Sequence, residues 1–181
     1  MAATHPTSLG ELVVWMVEDA RVNRVRGGGM LSVVAVAIFR LHQFGSRAAG
    51  TAASVIRLLC LPLVVFARFM LSCEMPGSLA CGRRLVLAHG GRGVIVVRDA
   101  VLGDDVVMAP YSAVGVAYPA PGAPVIGDRV YIGAHASILG PITIGNGAFV
   151  GARALVLRDV QAGGLATGVA ADVVEPSAVT R

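Results

Sequence analysis

The sequence predicts a mainly β chain: a parallel β-helix preceded by an α-helical N-terminal segment. Three observations carry that prediction. Residues numbered in sixes from Val96 onward are apolar, glycine recurs in the next place, and the first 73 residues follow a helical spacing instead. The column runs Val96, Leu102, Met108, Val114, Ala120, Ile126, Ile132, Ile138, Ile144, Val150, Val156, and only Ala120 is small. An α-helix repeats at about 3.6 residues and a half-buried strand at about 2, so neither sustains a six.

The repeat spans about Val96 to Val160. Each six supplies one short face, and three faces close a coil of about 18 residues, stacked about 4.8 Å above the last. Small or aliphatic residues four places after the column (Ala100, Val106, Ser112, Val130, Ala136, Ile142, Ala148, Ala154) fit the tight corners. Glycine just after the column, at Gly103, Gly115, Gly127, Gly133, Gly145 and Gly151, is expected to supply the backbone angles of a corner. The stretch Tyr118–Pro124, YPAPGAP, breaks the pattern and reads as a loop thrown out of the coil.

The N-terminal segment reads as three helices. Ser8-Leu9-Gly10-Glu11 fits a capping box, in which each side chain satisfies a free backbone N–H. Apolar residues follow through Val14, Met16 and Val17, until Gly27-Gly28-Gly29 stops the helix. A second helix is expected over Met30–Gln43, and a third over Thr51–Leu71, bent or restarted near Pro62. Arg57 and Arg68, eleven apart, share one face of that helix and leave a wide apolar face for a partner subunit or a lipid surface. The expected organisation is residues 1–73 helical, 74–174 solenoid and 175–181 a C-terminal tail.

Bulk composition narrows the class. The chain has 181 residues, 55% of them apolar, and a net charge of +4 that is scattered along it, which argues against nucleic acid as a partner. Its apolar runs, Met30–Phe39 and Leu58–Ala67, are about half the roughly 20 residues a spanning helix needs. The start, MAATHPTSLGELVVW, lacks the basic opening of a secretory signal, so a soluble cytoplasmic protein is expected. Cys60, Cys73 and Cys81 form neither an even disulfide set nor a CxxC pattern, and no metal is expected.

Four stretches resemble the hexapeptide acyltransferases, and within them the serine acetyltransferase branch: LVLAHGGRGVIV (Leu85–Val96), DAVLGDDV (Asp99–Val106), Ala123–Val160, and GVAADVV (Gly168–Val174). The resemblance covers roughly Glu74–Val174. It implies a left-handed β-helix, against the usual right-handed crossover. It also implies a homotrimer, or a dimer of trimers, with active sites in the clefts between neighbouring coils, acetyl-CoA as co-substrate, and a small hydroxyl-bearing acceptor.

Acetyl-CoA is already an activated thioester, so transfer needs a base for the hydroxyl proton, a group to orient that base, and donors for the oxyanion. His89, one of four histidines, lies in the stretch that resembles the catalytic-histidine motif. Glu74 stands fifteen residues earlier, where the resembling enzymes place an orienting aspartate. The resemblance maps CoA binding to Gly115, to Ala134 in Ile132-Gly133-Ala134, and to Ala152 in Val150-Gly151-Ala152. Arg158 or Arg153 is the candidate for a CoA phosphate, while His135 reads as exposed surface.

Three departures bear on the acceptor. Ala88 replaces the aspartate that usually precedes the histidine, Gly122-Ala123 replaces an Arg-His pair, and His89-Gly90-Gly91-Arg92-Gly93 is one residue longer than His-x-x-Gly. L-Serine therefore competes with a sugar or glycan hydroxyl as acceptor, and a non-catalytic trimeric scaffold is the alternative from another class. A zinc enzyme on the same solenoid would need three histidines, and the solenoid supplies only His89 and His135. A hydrolytic serine has no G-x-S-x-G elbow.

Overall fold

The computed structural model describes residues 5–27, 29–47 and 51–168. Helix α1 covers Leu9–Val22 and α2 covers Met30–Arg47, four residues longer than its spacing predicts. Helix α3 covers Thr51–Met70 and is unbroken at Pro62. Half of the capping box forms. The Glu11 N–H donates to Ser8 Oγ at 3.2 Å, but the Glu11 carboxylate accepts from Thr7, one residue before the cap. A π-helical turn, Asn23–Gly27, follows α1; Gly28 and the stretch after Gly168, which includes most of GVAADVV and the expected tail, lie outside the described residues.

Among the described residues thirteen strands follow: β1 Ala80–Cys81, β2 Val86–Leu87, β3 Ile95–Val96, β4 Val101–Leu102, β5 Val107–Met108, β6 Ala113–Gly115 and β7 Val125–Ile126. The series continues with β8 Tyr131–Ile132, β9 Ser137–Leu139, β10 Thr143–Ile144, β11 Phe149–Val150, β12 Leu155–Val156 and β13 Leu165–Ala166. They form three parallel sheets, in the orders β1-β4-β7-β10, β2-β5-β8-β11-β13 and β3-β6-β9-β12, here the first, second and third faces. From β1 to β12 each strand meets the one three places later, as six-residue turns of a solenoid require, and β13 pairs with β11. Leu102, Met108, Val114, Ile132, Ile138, Ile144 and Val150 are fully buried, so the apolar column is the core.

Two insertions modulate the repeat. Leu87 and Val96 are nine apart, so three extra residues enter between β2 and β3, and the column continues backward in a shifted phase through Cys81 and Met75. Val114 and Ile126 are twelve apart: the loop before β7 is one repeat long, which preserves the numbering in sixes and leaves Ala120 exposed.

The glycines after the column serve a different purpose from the one expected. None of the six has a positive φ. A Cβ on Gly133 would lie 2.5 Å from the Ala152 nitrogen, and one on Gly145 would lie 2.3 Å from the Ala162 nitrogen. Glycine is there because the next coil's backbone passes too close for a side chain. Left-handed angles fall two places later, on Asp105, Tyr111, Arg129, His135 and Arg153.

Helices and coils share one apolar core, in which Val36, Phe39 and Leu71 pack with Leu79, Leu87 and Val96. Polar side chains cap the opening edge of the solenoid. Asn23 donates to the Leu85 carbonyl at 2.7 Å and accepts from the Leu87 N–H at 3.1 Å, so its amide continues the ladder of β2. Asp19 accepts from the Leu85 N–H at 3.0 Å and from Arg40 Nε at 2.7 Å, and Arg40 also donates to the carbonyls of Cys81 and Gly82. An edge that would otherwise recruit another chain is closed. Much of α3 stays uncovered, with Leu58 and Phe69 both over two-thirds exposed (71% and 72%). Among the described residues no helix is long and apolar enough to cross a membrane.

Candidate active site

The three-residue insertion carries His89. Ala88–Gly91 forms a tight 3-10 turn at the corner between the second and third faces, and inside it His89 (φ 53, ψ 34) and Gly90 (φ 80, ψ 16) are both left-handed. That conformation costs a non-glycine residue roughly 1–2 kcal/mol, so the turn is held by its surroundings. The Val94 N–H donates to the Gly91 carbonyl at 3.1 Å, the Gly93 N–H to the Leu71 carbonyl at 2.9 Å, and the Gly90 N–H to Ser32 Oγ at 3.0 Å. The His89 side chain is exposed, and it takes part in none of the hydrogen bonds, ion pairs or ring contacts described here.

Glu74 enters the third face one row before His89's coil. It bridges Ile95 in parallel: its N–H donates to the Val94 carbonyl at 2.8 Å and its carbonyl accepts from the Val96 N–H at 2.9 Å. Because it is in register with the outward-facing Ile95, its carboxylate lies on the outer surface of that face. Glu74 thus stands opposite Ile95 on β3, and His89 lies six residues before Ile95, in the turn that feeds β3. The carboxylate engages Arg68 of α3 at 3.2 Å, not His89. Both partners are substantially exposed (62% and 44%), and such a pair contributes about 0–1 kcal/mol, so the carboxylate is released at little cost.

Beside Glu74 lies a cavity of about 460 Å³ between α2, α3 and the chain around Cys73–Ser78. Ile38, Phe39, Val64 and Met75 give it apolar walls, and Glu74, Arg68, Arg98 and His42 line it as well; His89 does not. Burial, and then Arg57, pulls the His42 imidazole below its ordinary pKa. Burial pushes the Cys73 and Cys81 thiols up to about 11, so neither is a nucleophile near neutral pH. Among the described residues no group of three or more His, Cys, Asp or Glu side chains is placed to hold a metal.

The four residues mapped to CoA border the third face as well. Ala134 and Ala152 sit at His89's corner, two and three coils further on, where the Arg153 N–H donates to the Ala134 carbonyl at 2.9 Å. Gly115 ends β6, and Arg158 follows β12, both on the opposite border of that face. His135 is exposed at the same corner as Ala134, stacked on Tyr111 with ring centroids 4.9 Å apart. Sequence reasoning missed Ser32, Arg68 and Arg98. The missed part with a readable signal was the coil before Val96, where Met75, Cys81 and Leu87 keep the six-residue spacing in another phase.

Three faces of stacked six-residue turns make the molecule a hexapeptide-repeat solenoid. The family described as bacterial transferase hexapeptide (six repeats) matches residues 123–158. The serine acetyltransferase of Mycobacterium tuberculosis is 33% identical over 123 residues, covering 67% of this chain and 53% of that protein, so the chain spans about half the length of this curated relative. Soybean serine acetyltransferase, solved in complex with serine, superposes with a TM-score of 0.73 at 30% identity, over 90% of this chain and 69% of the soybean chain. Serine acetyltransferase isoform 3 from Entamoeba histolytica, solved with cysteine, shares the fold at 18% identity (TM-score 0.71, 94% and 61% covered). The chain belongs to the hexapeptide-repeat acyltransferases, in their serine acetyltransferase-like branch, and its coil is the left-handed β-helix of that branch.

Proposed function

We propose that this protein is an acetyl-CoA-dependent O-acetyltransferase, with L-serine or a similar small hydroxyl compound as acceptor. The observation that supports the reading is the strained turn that leaves the His89 side chain exposed at the corner leading into β3, the strand that Glu74 bridges at Ile95. The relatives support the acceptor: soybean serine acetyltransferase was solved with serine bound.

In this mechanism the neutral His89 imidazole takes the proton from the acceptor hydroxyl. The freed oxygen attacks the thioester carbonyl carbon, and the tetrahedral intermediate collapses with cleavage of the carbon–sulfur bond. The imidazolium then returns the proton to the departing CoA thiolate. Glu74, once released from Arg68, fixes the ring's tautomer and offsets the imidazolium charge. Arg68 and Arg98 are the available partners for a carboxylate on the acceptor, standing in for the Arg-His pair that Gly122-Ala123 replaces. Acetyl-CoA lies along the third face, its thioester by His89 and its arm passing Ala134 and Ala152, with Gly115 and Arg158 on the opposite border. The assembly is a homotrimer, the exposed side of α3 faces another subunit, and the protein works in the cytoplasm.

The test incubates the full-length chain with acetyl-CoA and L-serine, then with a panel of sugars, and follows thiol release and acceptor mass. The expected result is thiol release coupled to O-acetylation of L-serine. Acetylation of a sugar with serine untouched overturns the acceptor. Silence with every acceptor overturns the enzyme reading and leaves the scaffold.

A further inference from the structure

The turn that carries His89 is not held by the solenoid alone. It lies against the N-terminal half of α2, and that helix meets it in two ways. Ser32 is fully buried, and its Oγ accepts the Gly90 N–H at 3.0 Å, immediately after the histidine in the chain. Leu31 closes the other side: a Cβ on Gly90 would come within 2.6 Å of Leu31 Cγ. Residue 90 must therefore be glycine for two reasons, its φ of 80° and the leucine packed over it.

These contacts bear on the histidine because a side chain's direction follows its backbone angles. His89 and Gly90 are consecutive left-handed residues in a segment three residues longer than the repeat. Such a segment has other conformations open to it unless a donor or acceptor outside the coil selects one. The Gly90 N–H points into buried space between coil and helix, and Ser32 Oγ is the acceptor it meets there. Losing that bond leaves a buried N–H unpaired, so the turn relaxes toward an arrangement that pairs it elsewhere.

We infer that Ser32 is a positioning residue: through the Gly90 N–H it fixes the left-handed turn that presents the His89 imidazole to substrate, making α2 part of the catalytic apparatus. The inference rests on the proposed role of His89 as base. Ser32 itself touches no reacting atom.

The test compares wild type with Ser32→Ala and Ser32→Thr, the second keeping the acceptor oxygen. Two kinds of readout are taken: steady-state thiol release from acetyl-CoA with L-serine, and NMR of the Gly90 amide exchange rate and the His89 ring signals. For Ser32→Ala the expected result is a kcat lowered on the order of tenfold, the worth of one ordinary hydrogen bond, with KM for acetyl-CoA unchanged. Gly90 exchange quickens by a similar factor and the His89 ring signals shift, while Ser32→Thr restores both. Unchanged Gly90 exchange and His89 signals in Ser32→Ala overturn the inference, as does a loss seen only in melting temperature. If wild type releases no thiol, the acetyl-transfer reading fails by itself. The exchange and ring signals then still decide whether Ser32 sets the turn.

Discussion

At the scale of single residues, the site trades stability for presentation. His89 occupies left-handed backbone space, and its ring is left exposed at a corner. The proposed orienting carboxylate, Glu74, pairs with Arg68 across a solvent-exposed gap of 3.2 Å. Glu74→Gln keeps the shape and removes the charge. The expected outcome is a fall in kcat of about tenfold or more, because the imidazolium formed in the transition state loses its counter-charge. Stability should change by less than about 1 kcal/mol, as for other exposed pairs. Thiol-release kinetics with urea unfolding of the same variant would separate the two; a large stability loss with kcat intact would make Glu74 a structural residue. His89 and Glu74 stand out in the sequence through their motif and their spacing, and their roles are the proposal that these variants test. Arg68 and Arg98 were not, since an arginine on a helix or a coil edge looks alike whether it lines a cavity or faces solvent.

At the scale of elements, the repeat divides its labour among fixed positions. The column residue fills the core, glycine admits the next coil's backbone, and the residue two places later takes the left-handed corner. The sequence displays glycine and leaves its reason open, because close approach and unusual φ demand the same residue. Substitution tells them apart. Gly133→Ala puts a Cβ 2.5 Å from the backbone nitrogen of Ala152, and a backbone atom cannot swing aside. The expected cost is about 1–3 kcal/mol, the range for overpacking. Gly147→Ala meets nothing within 4 Å and has only its φ of 69° against it, a cost of roughly 1–2 kcal/mol. Urea midpoints of the two variants measure this. No loss in Gly133→Ala would refute close approach as the reason for glycine. The loop at Tyr118–Pro124 was legible because it breaks the pattern, whereas the three-residue insertion at His89 falls just before the regular repeat begins and shifts its phase.

At the scale of the whole molecule, the helices and the solenoid are one folded body. Their cores merge, and Asp19, Asn23, Arg40 and Gln43 give the first coil the hydrogen bonds that a preceding coil would otherwise supply. None of that junction was readable in advance, because buried polar side chains on amphipathic helices carry no local signature of the strand edge they meet. The single body has a functional consequence: the turn bearing His89 is framed by α2 on one side and the third face on the other. The His89 side chain is exposed, so its truncation is expected to disturb the fold little. The measurement that tests the account most directly is thiol release from acetyl-CoA by His89→Ala, run with every acceptor that wild type uses. The account predicts a kcat lower by about 10²–10⁴-fold, the usual contribution of a positioned base, with urea stability unchanged. A variant that turns over like wild type would contradict it.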